Sequence, residues 1–96
     1  MLFALICTDK PNSLELRQQS RPDHLTFLES LGNSLTAAGP ITDDEGRPTG
    51  SLVVIEAEDR AAISAIAGRD PYAVAGLFAS VEIKPWKWLI KNPEAR

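Results

Sequence analysis

The chain has 96 residues, of which 44% are apolar and 24% charged, a balance that fits one soluble globular domain with a modest core. Ten basic residues against thirteen acidic ones give a net charge of −3 with histidine neutral. That balance argues against nucleic acid and against an anionic membrane surface, both of which need a concentrated basic face.

Leu2 to Thr8 is a continuous apolar run, the pattern of a strand near a sheet centre and covered on both faces. It holds the one cysteine, Cys7, which makes no internal disulfide and no cysteine-rich zinc site and reads as a small core hydrophobe. The run lacks a basic lead and is far too short for a signal sequence or a membrane span, so the expected compartment is reducing and cytoplasmic. Ser13 offers an N-cap for a helix beginning Leu14-Glu15-Leu16. Pro22 either kinks one long helix or takes the first position of a second. The helical pattern continues through Leu25, Phe27, Leu28 and Leu31, with Gly32 and Asn33 as stop residues.

Leu35 to Ile41 reads as a strand, and Gly39-Pro40 inside it marks an edge or a bulge because proline removes a ladder donor. Thr42 to Thr49 is a turn, and Ser51 to Ala57 is a strand of branched apolar residues. Asp59 caps a second helix with Ala62, Ile63, Ile66 and Ala67 on its buried face and Gly68 at its end. Asp70-Pro71 signals another, short helix that ends at Gly76. From Leu77 to Lys84 the pattern alternates, with Leu77, Ala79, Val81 and Ile83 on one face. Pro85-Trp86-Lys87-Trp88 then leads into a tail over about residues 89–96. The order strand, helix, strand, strand, helix, strand predicts an α+β fold, the ferredoxin-like plait: a four-stranded antiparallel sheet with both helices on one face, in one domain over 1–96. Two helices cannot cover both sides of the apolar first strand, so a homodimer through the open sheet face is expected.

His24 is the only histidine. Helical spacing puts it on the stripe of Phe27, Leu28 and Leu31, where a half-buried imidazole suits proton transfer if a partner orients it. Asp70 is the best candidate partner, and it also reads as a helix cap. The plainer reading of His24 is a satisfied structural residue. Arg21 lies one turn before His24 and Arg17 another turn back; both could hold an anionic substrate group, and both could instead belong to a solvated charged face pairing with Glu15 or Asp23, the reading that suits Arg17 better. Gly39, Pro40 and Ser51 fall on adjacent strands where a ligand could approach the backbone, with Ser51 as a hydrogen-bond donor. Tyr72 and Trp86 are candidates to wall an apolar pocket, with core or dimer packing as the alternative. No metal site is expected, because Asp43-Asp44-Glu45 matches no calcium loop and one histidine makes a poor zinc centre. No cofactor is expected either, since no glycine-rich phosphate cradle is present.

Five pieces, Arg21-Pro22-Asp23-His24-Leu25, Ala38-Gly39-Pro40, Gly50-Ser51, Asp70-Pro71-Tyr72 and Lys84-Pro85-Trp86, resemble the YCII-related family of the dimeric α+β barrel group, in the family's order. The resemblance implies a plait subunit that pairs sheet to sheet, with a site built on His24 and Asp70. It also implies a link to elimination chemistry on substituted aromatic compounds, within a barrel group that includes isomerases, monooxygenases and degradative enzymes. Two functional classes follow. One is a cofactor-free lyase or isomerase using a His24–Asp70 dyad on a small, anionic or aromatic substrate. The other is a non-catalytic dimeric module that binds a ligand or a partner protein.

Overall fold

The computed structural model describes residues 1–94; Ala95 and Arg96, the end of the expected tail, lie outside the described residues. The elements in chain order are β1 (Leu2–Asp9), α1 (Leu14–Ser30), a short 3₁₀ turn (Gly32–Ser34), β2 (Leu35–Thr42), β3 (Pro48–Glu56), α2 (Arg60–Arg69), α3 (Pro71–Val74) and β4 (Phe78–Trp86). The sheet has the order β2-β3-β1-β4 with every pairing antiparallel. This is the expected α+β plait, with the apolar β1 at its centre and the proline-bearing β2 at an edge.

Strand alternation decides what each sheet face buries. Phe3, Leu5 and Cys7 of β1 stand beside Ile55, Val53 and Ser51 of β3 and point into the helix layer. Leu28 of α1 and Ile63 of α2 close over them to complete the core. On the other face, Leu2, Ala4 and Ile6 pair with Glu56, Val54 and Leu52, and no helix covers them.

Four local readings are refined. Pro22 lies inside one 17-residue helix and starts no second one; it is exposed, so the backbone bond it removes falls on the solvent side. Ser13 occupies the N-cap position of α1 without capping it, because its hydroxyl donates to the Pro11 carbonyl. Gly68 does not end α2; the helix continues to Arg69, and Asp70 is the residue that closes it. In β4 the register shifts so that Thr8 pairs with Ser80 and Asp9 with Phe78. Ala79 is the extra residue of this bulge, and Phe78 takes the inward place that plain alternation assigns to Ala79.

Candidate active site

A proline at position 71 disfavours helical geometry at the residue before it, so the chain breaks between α2 and α3 at Asp70. The Asp70 carboxylate is thereby left at the start of α3, where its Oδ1 accepts from the backbone N–H of Tyr72 at 2.9 Å. The same oxygen lies 2.8 Å from Nδ1 of His24, which projects from the inner face of α1. Capping and orienting are therefore done by one atom. Asp70 is 7% exposed and His24 6%.

A carboxylate can only accept, so Nδ1 carries a hydrogen, and in the neutral ring the lone pair is on Nε2. Among the described residues Nε2 makes no hydrogen bond, and no buried side-chain nitrogen or oxygen lacks a partner. Nε2 is thus open to the cavity that His24 lines. The imidazole stacks on the Tyr72 ring with centroids 3.9 Å apart and 14° between planes, which fixes its tilt as Asp70 fixes its rotation. Phe78 packs edge-on against the other partner of that stack, Tyr72, at 6.0 Å.

The cavity measures about 550 Å³, a small-molecule size. It opens between α1 and the β2–β3 edge because the inward residues of β2 are small: Ala38 and Pro40 pair with Val53 and Ser51 and leave space beneath the helix. Leu14, Leu25, Leu28, Pro48 and Tyr72 make its apolar wall, and Arg17, Gln18, Arg21 and Ser51 its polar part. Arg21 is exposed at the rim and forms no ion pair among the described residues. Burial pushes the Tyr72 phenol above its ordinary value, against the opposing pull of the Arg17 and Arg21 charges. Desolvation pushes the Cys7 thiol up to about 12, in keeping with a packed hydrophobe and not a nucleophile.

The structure thus brings His24, Asp70, Arg21, Gly39, Pro40, Ser51 and Tyr72 to one place, and leaves two residues elsewhere or otherwise employed. Trp86 is not in the cavity. It pairs with Leu2 on β4, the sheet edge opposite β2, and stacks with Trp88 at 6.0 Å. Arg17 is not on a solvated face: it is 7% exposed, with Nη1 donating to both oxygens of Asp9 at 2.9 and 3.1 Å and Nη2 donating to Ser51 Oγ at 2.8 Å. Its guanidinium also lies over the Tyr72 ring at 4.7 Å. Arg17 and His24 are seven residues apart, two helical turns on one face, and that spacing was the available signal. Asp9, at the end of a strand, carried none. Among the described residues no group of three or more His, Cys, Asp or Glu side chains is placed to hold a metal ion.

The YCII-related domain matches residues 1–87. The chain belongs to the YCII-related family. It is 40% identical over 95 aligned residues to Protein YciI of Escherichia coli O6:H1, covering 91% of this chain and 97% of the relative. An uncharacterized protein of Haemophilus influenzae is 39% identical over the same shares of the two chains. Among solved structures, the 5-chloro-2-hydroxyhydroquinone dehydrochlorinase TftG of Burkholderia phenoliruptrix AC1100, in complex with 2,5-dihydroxybenzoquinone, superposes with a TM-score of 0.82 at 34% identity, covering 91% of this chain and 94% of TftG. The plait of this YCII-related chain is therefore shared with a small-molecule enzyme.

Proposed function

We propose that this YCII-related chain is a small-molecule enzyme that moves protons without a cofactor, in an elimination or tautomerisation of lyase or isomerase type. The observation that carries the reading is the buried 2.8 Å contact between Asp70 and Nδ1 of His24, which leaves Nε2 open to a cavity of ligand size. The likeness to the dehydrochlorinase supports the same class and suggests a hydroxylated aromatic substrate.

In this reading Nε2 accepts a proton from the substrate, and Asp70 stabilises the imidazolium that forms. In an elimination the released electron pair makes the new double bond, and the leaving group departs with its own bonding pair. The proton then passes from Nε2 to solvent, whereas in a tautomerisation Nε2 returns it to another atom of the substrate. Arg21 meets an anionic oxygen at the rim, while Tyr72 and the leucines hold the ring. The open sheet face, on which Leu52 is exposed, docks a second copy of the chain.

The test is chloride release from chlorinated hydroquinones such as 5-chloro-2-hydroxyhydroquinone. His24→Gln and Asp70→Asn should each slow turnover by about 10²- to 10⁴-fold with unchanged circular dichroism. The wild-type pH–rate profile should have a limb that vanishes in His24→Gln. Undiminished turnover in His24→Gln rules the role out.

A further inference from the structure

The dyad leaves a second polar chain in the cavity unused. Asp9, Arg17 and Ser51 form a line of hydrogen bonds: Asp9 accepts from Arg17 Nη1, and Ser51 Oγ accepts from Arg17 Nη2 at 2.8 Å. All of it is withdrawn from water, with both ion-pair side chains at 8% exposure or below and Ser51 at 2%. Burying an arginine–aspartate pair is expensive compared with apolar side chains of the same volume, so packing alone does not explain it.

The consequence falls on Ser51. A hydroxyl has one hydrogen and two acceptor positions. A cationic donor occupies one acceptor position of Ser51, which keeps its hydrogen turned away from Arg17. That hydrogen finds no acceptor among the described residues, and Ser51 lines the cavity. Engaging the lone pair with a cation also polarises the O–H bond and makes it a stronger donor. Asp9 neutralises Arg17, so the cavity receives a directed donor without a free positive charge. The arrangement abuts the dyad, because the Arg17 guanidinium and the His24 ring both lie against Tyr72, at 4.7 and 3.9 Å.

We propose that Asp9, Arg17 and Ser51 form an oxyanion-binding relay, in which Arg17 is a positioning residue and the Ser51 hydroxyl donates to the substrate oxygen that becomes negative when His24 Nε2 takes a proton. The inference rests on the proton-transfer reading above and narrows its substrate class. The acidic hydrogen must be conjugated to an oxygen able to take the charge, as in an enol, a hydroquinone or a hydroxyquinone. The proton goes to Nε2, the electron pair it leaves moves through the conjugated system to the oxygen at Ser51, and nothing is oxidised or reduced.

Two probes of similar shape test this: 2,5-dihydroxybenzoquinone, which carries charge on oxygen once ionised, and its neutral dimethoxy analogue. Calorimetry on the whole protein at neutral pH should show the wild type preferring the ionised probe. Ser51→Ala should cut that preference by about 10- to 100-fold with little change for the neutral analogue. Arg17→Gln should do the same. If that variant does not fold, Ser51→Ala together with Asp9→Asn carries the measurement. Equal weakening of both probes, or none, overturns the relay while His24-dependent turnover still stands. Failure of the wild type to bind either probe overturns the relay together with the reading beneath it.

Discussion

Two of the three side chains that α1 buries most deeply are polar, Arg17 and His24, with Leu28 the third. A helix facing a core normally offers aliphatic residues there, and the exception is what marks the site. Cys7 shows the opposite behaviour: a chemically capable side chain that the fold makes inert. It is 3% exposed, and desolvation raises its thiol from 9.0 to about 12. Below pH 9 neither the folded nor the unfolded chain ionises there, and the full contribution of the buried thiol is present. Between 9 and 12 only the unfolded chain gives up the proton, so stability declines with a slope approaching ~1.4 kcal/mol per pH unit. The raised Tyr72 phenol pushes in the same direction. Urea midpoints followed into the alkaline range should fall, and Cys7→Ala should flatten the decline at a cost of about 1–2 kcal/mol at neutral pH. The native thiol should stay unreactive toward an aromatic disulfide reagent until urea unfolds the chain.

Between elements, two glycines of neighbouring strands separate what holds the sheet together from what borders the cavity. A Cβ at Gly50 would stand 2.2 Å from the Cys7 carbonyl oxygen, so β1 and β3 approach closely only because that position has no side chain. A Cβ at Gly39 would meet nothing within 4 Å. Gly39 pairs with Leu52, whose side chain is on the open face, so it borders the cavity with backbone alone. Gly50→Ala should therefore lower the unfolding free energy by about 2 kcal/mol or more, read from denaturant titration, and Gly39→Ala should leave it within about 0.5 kcal/mol. The same contrast shows what the sequence could disclose. Strand order and helix placement were legible because apolar periodicity and the Asp70-Pro71 break are local patterns, whereas the meeting of His24 with Asp70 was expected only from the placement of helices in a plait and from the family resemblance. The close approach at Gly50, the bulge at Ala79 and the pairing of Arg17 with Asp9 depend on register between strands and on the depth of a long side chain. A linear pattern does not encode those. The position of Trp86 outside the cavity was hidden for a related reason: an aromatic residue near a strand end gives no sign of which sheet edge it occupies.

For the whole molecule, the decisive asymmetry is that helices pack over one sheet face and not over the other. Leu52 lies on the open face at 43% exposure, on β3 beside the central strand, with Ile41 and Trp86 exposed toward the two edges. If a second copy covers this face, a charge at Leu52 is desolvated without a partner, and association should weaken by about 2–4 kcal/mol. Light scattering on a sizing column should find the wild type dimeric and Leu52→Glu monomeric, and a monomeric wild type at micromolar concentration would refute the pairing. The fold also sets the functional outcome of that experiment. One chain by itself supplies a lining that runs from Leu14 on α1 to Tyr72 on α3, and the dyad lies on the helix side of the sheet. A folded Leu52→Glu monomer should therefore keep the His24–Asp70 contact and still bind 2,5-dihydroxybenzoquinone, with nuclear magnetic resonance shifts at His24 and Ser51 like those of the dimer. Loss of those shifts in a folded monomer would mean that pairing shapes the cavity from behind, through β2 and β3, whose backbones form its floor.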